Sequence, residues 1–201
     1  MAPPTRRDAR RALHQLADRQ GGYFTSKQAA RLGYAQPHLA YHVAARNFVH
    51  VGHGLYRLPA IPSSEHDQLI RLSLWSRDRR GRSQAVVSHA TALFLHGLSD
   101  VLPSRVHLSV PLSFRKPAPR GCVLHRASHA RGDVEAWDAF SVTTPLRTLL
   151  DVAREGSVSR EQVGRALADA ERRGLVRRSV LRASLRDLLG PTTARSLLAT
   201  G

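Results

Sequence analysis

The sequence predicts an α+β protein with a small N-terminal domain of three helices and one hairpin. A larger C-terminal domain of mixed α/β type follows, with a small sheet and several helices. Apolar residues recur at helical spacing between residues 9 and 43, two β-prone runs flank a Gly-rich turn within residues 48–58, and the last third is again helical in pattern. We expect the two domains to span residues 1–60 and 61–201.

The first two helices are predicted from apolar spacing and from capping residues. Apolar side chains between residues 9 and 17 fall three and four positions apart, which places them on one helix face, and Gly21-Gly22 ends this helix. Thr25 opens a capping box, in which its hydroxyl accepts from a backbone amide and Gln28 reaches back. Gly33 supplies the left-handed residue that ends the second helix.

The third helix and the hairpin complete the N-terminal domain. Pro37 suits the first position of the third helix, where a missing N–H costs nothing. The core-facing side of this helix is expected to carry Leu39, Ala40 and Val43. Its opposite side is expected to carry His38, Tyr41, His42 and Ala45. Because three short helices precede one hairpin with a Gly52-His53-Gly54 turn, we predict a winged helix-turn-helix.

The C-terminal domain is predicted to begin after a linker at residues 59–64, which contains two prolines and two serines. Helices are expected near residues 65–77 and 89–96, and strands at residues 105–110, 122–126 and 140–143. The last third contains a helix that starts at Pro145, a helix behind a capping box at Ser159, and a helix that ends before Gly190-Pro191.

The charge favours a nucleic-acid partner. Lysine and arginine total 31 against 15 acidic residues, so the formal net charge is +16. Residues 1–60 carry this charge most densely, with nine basic and two acidic side chains. Such a field attracts polyanions. No apolar stretch is long enough for a membrane span, and no apolar segment follows the basic N-terminus, so we expect a cytoplasmic protein.

The expected partner is double-stranded DNA. The second helix of a helix-turn-helix motif, here the third helix of the domain, lies in the major groove and reads bases with its N-terminal half. Candidate base-reading residues are Gln36, His38, Tyr41, His42 and Arg46. Candidate phosphate-binding residues lie on the first two helices and the wing: Arg6, Arg7, Arg10, Arg11, Thr25, Lys27, Arg31, His53 and Arg57. The alternative is that the third helix only packs a small domain.

Metal and cofactor binding are not expected. His38 and His42 have the i, i+4 spacing of zinc ligands, but no nearby Cys, Asp or Glu completes a site. Further histidines are scattered along the sequence and are interpreted as surface or packing residues: His89, His96, His107, His125 and His129.

Catalysis is not expected either. The candidate carboxylates of the C-terminal domain form no acidic pair followed by a lysine, and the sequence contains neither a phosphate-binding glycine loop nor a nucleophile elbow. These carboxylates are Asp100, Asp133, Glu135, Asp138 and Asp151. A basic cluster at residues 172–178 has two interpretations, a solvated helix end or a second phosphate-binding patch.

Several segments resemble the AbiEi-type antitoxins. Residues 48–58, which end in Gly54-Leu55-Tyr56-Arg57-Leu58, are similar to the wing of that family. Residues 87–100 resemble a family helix that carries His89 and His96, and residues 106–111 and 143–151 resemble the strand and the helix that follow it. The similar segments occur in the family's order and cover nearly the whole chain.

The resemblance implies an antitoxin that represses its own transcription in a type IV toxin–antitoxin system linked to abortive phage infection. It further implies that the N-terminal domain binds operator repeats and that the C-terminal domain acts against a nucleotidyltransferase-like toxin. Three alternatives stay open: a solitary winged-helix regulator without a toxin, a nucleic-acid-processing enzyme or its remnant, and an RNA-binding or nucleoid protein.

Overall fold

A computed structural model describes residues 5–100, 102–156 and 158–199. The chain divides into two compact units, an N-terminal unit of residues 1–83 with 138–140 and a C-terminal unit of residues 84–137 with 141–201. Both contain helices and a small sheet, so the predicted α+β class is confirmed. Within the described ranges, every helix is too short or too polar to cross a lipid bilayer.

The N-terminal unit contains four helices and three short strands among its described residues. They are α1 (Arg6–Asp18), β1 (Tyr23–Thr25), α2 (Ser26–Arg31), α3 (Gln36–Ala44), β2 (Val49–Gly52), β3 (Leu55–Arg57) and α4 (Asp67–Trp75). The strands form an antiparallel sheet in the order β1-β3-β2, in which β2 and β3 are the predicted hairpin. This arrangement of α1–α3 and the hairpin confirms the winged helix-turn-helix.

The predicted helix boundaries rest on side-chain caps that the structure contains. Thr25 Oγ1 accepts from the Gln28 amide at 3.2 Å, and Gln28 Oε1 accepts from the Thr25 amide at 2.8 Å. Gly33 follows α2 with φ +90°, a conformation that L side chains rarely adopt. Pro37 is the second residue of α3, one position later than predicted. Local sequence therefore determines where α2 ends and α3 begins.

The core of the N-terminal unit surrounds Phe24. Its ring is fully buried and lies 5.1 Å from the Phe48 ring and 5.6 Å from the Tyr56 ring, measured between centroids. Leu39 of α3 reaches this core, whereas Ala40 is exposed, so its predicted core position is wrong. Each residue turns a helix by about 100°, so Ala40 lies beyond the narrow buried stripe of this short helix.

Helix α4 belongs to the N-terminal unit. Tyr23 Oη donates to Asp67 Oδ2 at 2.9 Å, and Arg77 Nη2 donates to Gln20 Oε1 at 2.8 Å. Gln20 is itself buried, so the bond with Arg77 satisfies a polar atom that water cannot reach. The domain boundary at residue 60 stays a prediction, and these bonds connect residues 67–77 to the winged helix.

The C-terminal unit is built around a five-stranded sheet in the order β6-β5-β4-β8-β7. The strands are β4 (Val86–Val87), β5 (Val106–Val110), β6 (Cys122–Arg126), β7 (Val134–Trp137) and β8 (Phe140–Thr143). Strand β5 pairs with β6 in parallel and with β4 antiparallel, so the sheet is mixed. Three of these strands match the predicted ranges to within one residue, whereas the short β4 and β7 were not predicted.

The described helices of this unit are α5 (His89–Leu95), α6 (Pro145–Glu155), α7 (Arg160–Arg172), α8 (Arg178–Leu189) and α9 (Pro191–Leu198). The predicted capping box before α7 is present, since Ser159 Oγ accepts from the Gln162 amide at 3.2 Å. Leu149, Leu167 and Leu181 are fully buried in the helical core that these elements share. Gly190-Pro191 was expected only to end α8, but Pro191 also starts α9.

Candidate nucleic-acid interface

The exposed side of α3 presents polar and aromatic groups to solvent. Gln36, His38 and Tyr41 are exposed, and Tyr41 has 68% of its surface accessible. Leu39 on the opposite side anchors the helix in the core. The helix therefore displays hydrogen-bonding side chains from a rigid support, which base recognition in a groove requires.

The sequence predicted that His42 lies on the exposed side of α3, but the residue is only partly exposed. Its ring packs against Phe48 with centroids 4.6 Å apart, and its Nδ1 accepts from Asn47 Nδ2 at 3.3 Å. The residue stands at the border between the exposed and buried sides of α3, and Phe48 covers one face of its ring. Burial, together with the charges of His38 and Arg10, lowers the pKa of His42.

Helix α1 contributes four exposed arginines to the N-terminal unit. Arg6, Arg7, Arg10 and Arg11 are all exposed. Arg10 has no ion-pair partner among the described residues, and its charge lowers the pKa of His42, so it lies near α3. Arg11 instead pairs with Asp8 at 3.6 Å. Two adjacent arginines thus differ in how available they are for a phosphate.

Helix α2 carries Lys27 and Arg31 four residues apart on one exposed side. A Cβ built on Gly81 would lie 3.4 Å from Arg31 Nη1, so the basic loop of residues 78–82 is beside Arg31. This loop adds the exposed Arg79 and Arg80, which were not among the predicted contacts. The run Arg79-Arg80-Gly81-Arg82 was visible in the sequence, but its proximity to α2 depends on tertiary packing.

The wing is held against the start of α2. The Ser26 amide donates to the Gly54 carbonyl at 2.9 Å, and Gly54 has φ +63°. A Cβ on Gly54 would lie only 3.1 Å from Ser26 Oγ, so the turn and the helix approach closely because this residue is glycine. His53, between the two glycines of the turn, is exposed.

Two predicted contact residues have intramolecular roles instead. The Thr25 hydroxyl is occupied by the capping box of α2. The Arg57 guanidinium donates to the Ile61 carbonyl and to Ser63 Oγ, and it lies 5.6 Å from the centroid of the Tyr23 ring. Arg46 differs from both, because it is exposed directly after α3 in a left-handed conformation with φ +58°.

Three of the five candidate carboxylates contact other side chains among the described residues. Asp151 Oδ1 accepts from Arg147 Nε at 2.9 Å, and Asp133 Oδ2 lies 3.5 Å from Arg147 Nη1. Glu135 accepts from Trp137 Nε1 at 2.9 Å. Arg147 therefore takes up oxygens of both Asp133 and Asp151, which a magnesium ion would need as ligands.

The basic cluster at residues 172–178 also makes local contacts. Arg172 and Arg173 both pair with Asp169, and Arg173 Nη1 donates to the Gly97 carbonyl at 2.9 Å. Arg178 Nε lies 3.5 Å from a Glu171 carboxylate oxygen. These partners favour the first of the two interpretations, a helix end whose cations stabilise the fold.

Comparison with known proteins finds a family match at the N-terminus. Residues 5–59 match the family model described as transcriptional regulator, AbiEi antitoxin. No curated protein matches the chain. Among solved structures, the chain is similar to the crystal structure of the RV2827C protein from Mycobacterium tuberculosis, with a TM-score of 0.51 and 15% sequence identity over 96% of this chain and 80% of that chain. At this identity the likeness concerns the fold alone. The resemblance predicted from the sequence is thereby confirmed for residues 5–59, which match the AbiEi antitoxin family of transcriptional regulators.

Proposed function

We propose that this chain is a sequence-specific regulator of transcription that places α3 in the major groove of double-stranded DNA. The observation that carries the proposal is the exposed side of α3 in a winged helix that matches a regulator family. Arg10, which has no ion-pair partner among residues 5–100, 102–156 and 158–199, supplies a charge that acts on this helix. In a helix-turn-helix, the corresponding helix contacts base edges while neighbouring elements contact the phosphates.

The proposed base contacts come from the exposed residues of α3. Gln36 at its start can pair bidentately with adenine, and Arg46 beyond its end can reach a guanine or a phosphate. His38 and Tyr41 add single hydrogen bonds to base edges or to waters. Since these groups discriminate less strongly than arginine, we expect part of the specificity to depend on DNA shape.

The proposed phosphate contacts surround this helix. Arg10 stands beside α3, Lys27 and Arg31 extend the charge along α2, and His53 reaches the backbone from the wing. Arg6, Arg7 and Arg11 supply further positive charge from α1. Each neutralised phosphate releases counterions, so we expect the affinity to fall steeply with salt. Thr25 and Arg57 support this surface through the intramolecular bonds described above.

The finer proposal is that the protein is the cytoplasmic, autorepressing antitoxin of a type IV toxin–antitoxin system, acting without catalysis. The description of the matched family supports the antitoxin role, and the family likeness found in the sequence supports an operator with inverted repeats and a nucleotidyltransferase-like toxin. A solitary regulator without a toxin is the second candidate, because the match covers the N-terminal segment alone.

The test is a titration of the full chain against DNA from upstream of its own gene and against a scrambled duplex, at two salt concentrations. We expect the upstream DNA to be bound roughly 10³-fold more tightly or better. Tyr41→Ala with His38→Ala should reduce this ratio, whereas Val180→Ala, at an exposed position of α8, should not. Equal affinity for both duplexes would instead indicate a nucleoid-type protein.

The antitoxin role has its own test. Co-expression with the product of any adjacent gene for a nucleotidyltransferase-like protein should restore growth that this product alone arrests. Repression of a reporter without such rescue would leave the solitary regulator as the correct candidate.

A further inference from the structure

The histidines of the C-terminal unit are not scattered in space, as their positions in the sequence suggested. His89 is the first residue of α5, His107 lies on β5 and His125 on β6. The rings of His89 and His125 stack with centroids 3.6 Å apart and planes 15° from parallel, and the His107 and His125 rings are 5.2 Å apart. The mixed sheet and the start of α5 thus bring three imidazoles together.

A carboxylate lies beside this cluster. Glu155, at the end of α6, has Oε1 3.7 Å from His125 Nε2. One ligand atom from each of His89, His125 and Glu155 lies within 4.8 Å of the other two. His107 Nδ1 shares a 3.0 Å hydrogen bond with the same His125 nitrogen, and this bond must open before both nitrogens can face a cation. Nitrogen and oxygen donors therefore converge from four elements of the fold: α5, β5, β6 and α6.

A hydrogen bond holds one ring nitrogen of His89. His89 is buried, and its Nδ1 shares a 2.9 Å hydrogen bond with Ser88 Oγ, which in turn accepts from Ser109 Oγ at 2.9 Å. Such a bond on one ring nitrogen orients the other as a metal ligand.

Unsatisfied polar atoms lie next to the same site. Asp151 is one helical turn before Glu155 on the same side of α6, and its Oδ2 is buried without a hydrogen-bond partner among the described residues. Both ring nitrogens of His129 are likewise buried without a hydrogen-bond partner among the described residues. Buried polar atoms are normally paired, and either water or a cation can satisfy such atoms beside a donor cluster.

We propose that His89, His125 and Glu155 bind one divalent transition-metal ion of the zinc class. In a tetrahedral zinc site, ligand atoms at about 2.0–2.1 Å from the metal are about 3.3 Å from one another. The three ligand atoms, now within 4.8 Å of one another, must therefore move closer, and the stacked rings must rotate out of parallel to direct both nitrogens at one ion. His89 is the buried ligand of this site, whereas the Glu155 side chain is 27% exposed and can be reached from solvent. The position left open, next to His107, takes water or the His107 ring.

The site would connect α5, β6 and α6 within the C-terminal unit, and it does not depend on DNA binding by the N-terminal unit. Histidine nitrogen with carboxylate oxygen suits zinc and neighbouring first-row ions better than magnesium or calcium, which prefer all-oxygen sites. The same set of three donors is not found at the His38 and His42 pair, where His42 packs against Phe48.

The experiment titrates Zn²⁺ into the chelator-treated full chain in competition with a chromophoric zinc chelator, and follows the melting temperature with and without the ion. We expect one zinc per chain and a rise in melting temperature. Glu155→Gln and His125→Gln should each weaken zinc binding at least tenfold and abolish the rise. Because Glu155 is partly exposed, we expect Glu155→Gln to fold. This variant therefore tests the site even if His125→Gln does not fold.

Two controls make the assignment specific. Glu161→Gln removes an exposed carboxylate from α7 that pairs with Arg165, and it should leave zinc affinity unchanged. His38→Gln with His42→Gln should also have no effect. Absence of zinc binding by the wild-type chain, full affinity in Glu155→Gln, or a loss confined to the α3 double variant would each overturn the proposal.

Discussion

Arg10 and Arg11 are adjacent, exposed and chemically identical, yet the structure predicts unequal roles in DNA binding. Arg10 has no acidic partner within the described residues, and its charge lowers the pKa of His42 on α3. Arg11 is 3.6 Å from Asp8, whose pKa is lowered mainly by a hydrogen bond from Thr5 and further by Arg11. We therefore expect Arg10→Gln to affect DNA affinity more than Arg11→Gln.

The size of the effect follows from counterion release. One lost phosphate contact lowers the slope of log affinity against log salt by about 0.9, which between 50 and 200 mM salt changes the ratio of wild-type to variant affinity by roughly threefold to fourfold. Arg11 must first leave Asp8 before it can bind a phosphate, and exposed pairs of this kind are weak. Its net contribution to the slope should accordingly be smaller.

The assay is fluorescence anisotropy of a labelled duplex at four salt concentrations, with wild type, Arg10→Gln and Arg11→Gln measured in parallel. Arg186→Gln, on α8, serves as a charge-matched control outside the proposed surface. If Arg10→Gln has the wild-type slope, or if Arg186→Gln flattens it equally, the placement of the phosphate backbone beside α1 is incorrect.

The remaining predictions concern stability and pH. Phe24→Ala should lower the free energy of unfolding of the N-terminal unit by about 3–5 kcal/mol in urea denaturation, because its fully buried ring packs on Phe48 and Tyr56; a loss below 1 kcal/mol would contradict the described core. Thr25→Ala should cost about 1 kcal/mol through the lost cap, whereas Thr25→Ser, which keeps the hydroxyl, should cost far less. The pKa of His42 is lowered first by burial and then by nearby charge. Protons therefore bind this side chain more readily in the unfolded chain than in the folded one. The folded protein should accordingly lose stability as the pH falls below about 6.5. Bound DNA phosphates would raise the pKa of His42, so DNA affinity should increase from pH 8 to pH 6 by at most about tenfold per pH unit from this group. His42→Gln should reduce this pH dependence of the affinity. If the variant has the wild-type pH profile, His42 is not part of the interface.

Local features of the fold could be predicted from the sequence because neighbouring residues determine them. The capping boxes at Thr25 and Ser159 fix where two helices begin, and the structure contains both. Gly33 ends α2 because its conformation requires a residue without a Cβ. The Gly-flanked turn at His53 joins two strands that pair as expected. These signatures lie within a few positions of one another along the chain.

Features that depend on distant residues could not be predicted in the same way. The bond from Tyr23 to Asp67 brings α4 to the winged helix across a linker that looked like a domain boundary. His89 and His125 are far apart in sequence, and only the order of the strands and α5 stacks their rings. The intramolecular contacts of Arg57 were likewise invisible, because its partners lie in the segment after the wing.

Hydrogen exchange of backbone amides, measured on the full chain with and without DNA from upstream of its own gene, tests the proposed binding surface most directly. We predict slower exchange at residues 36–46 and 52–54, with no comparable change at residues 160–189. Unchanged exchange over residues 36–46 in the presence of saturating DNA, with protection confined to the C-terminal helices, would contradict the assignment of α3 as the DNA-reading element.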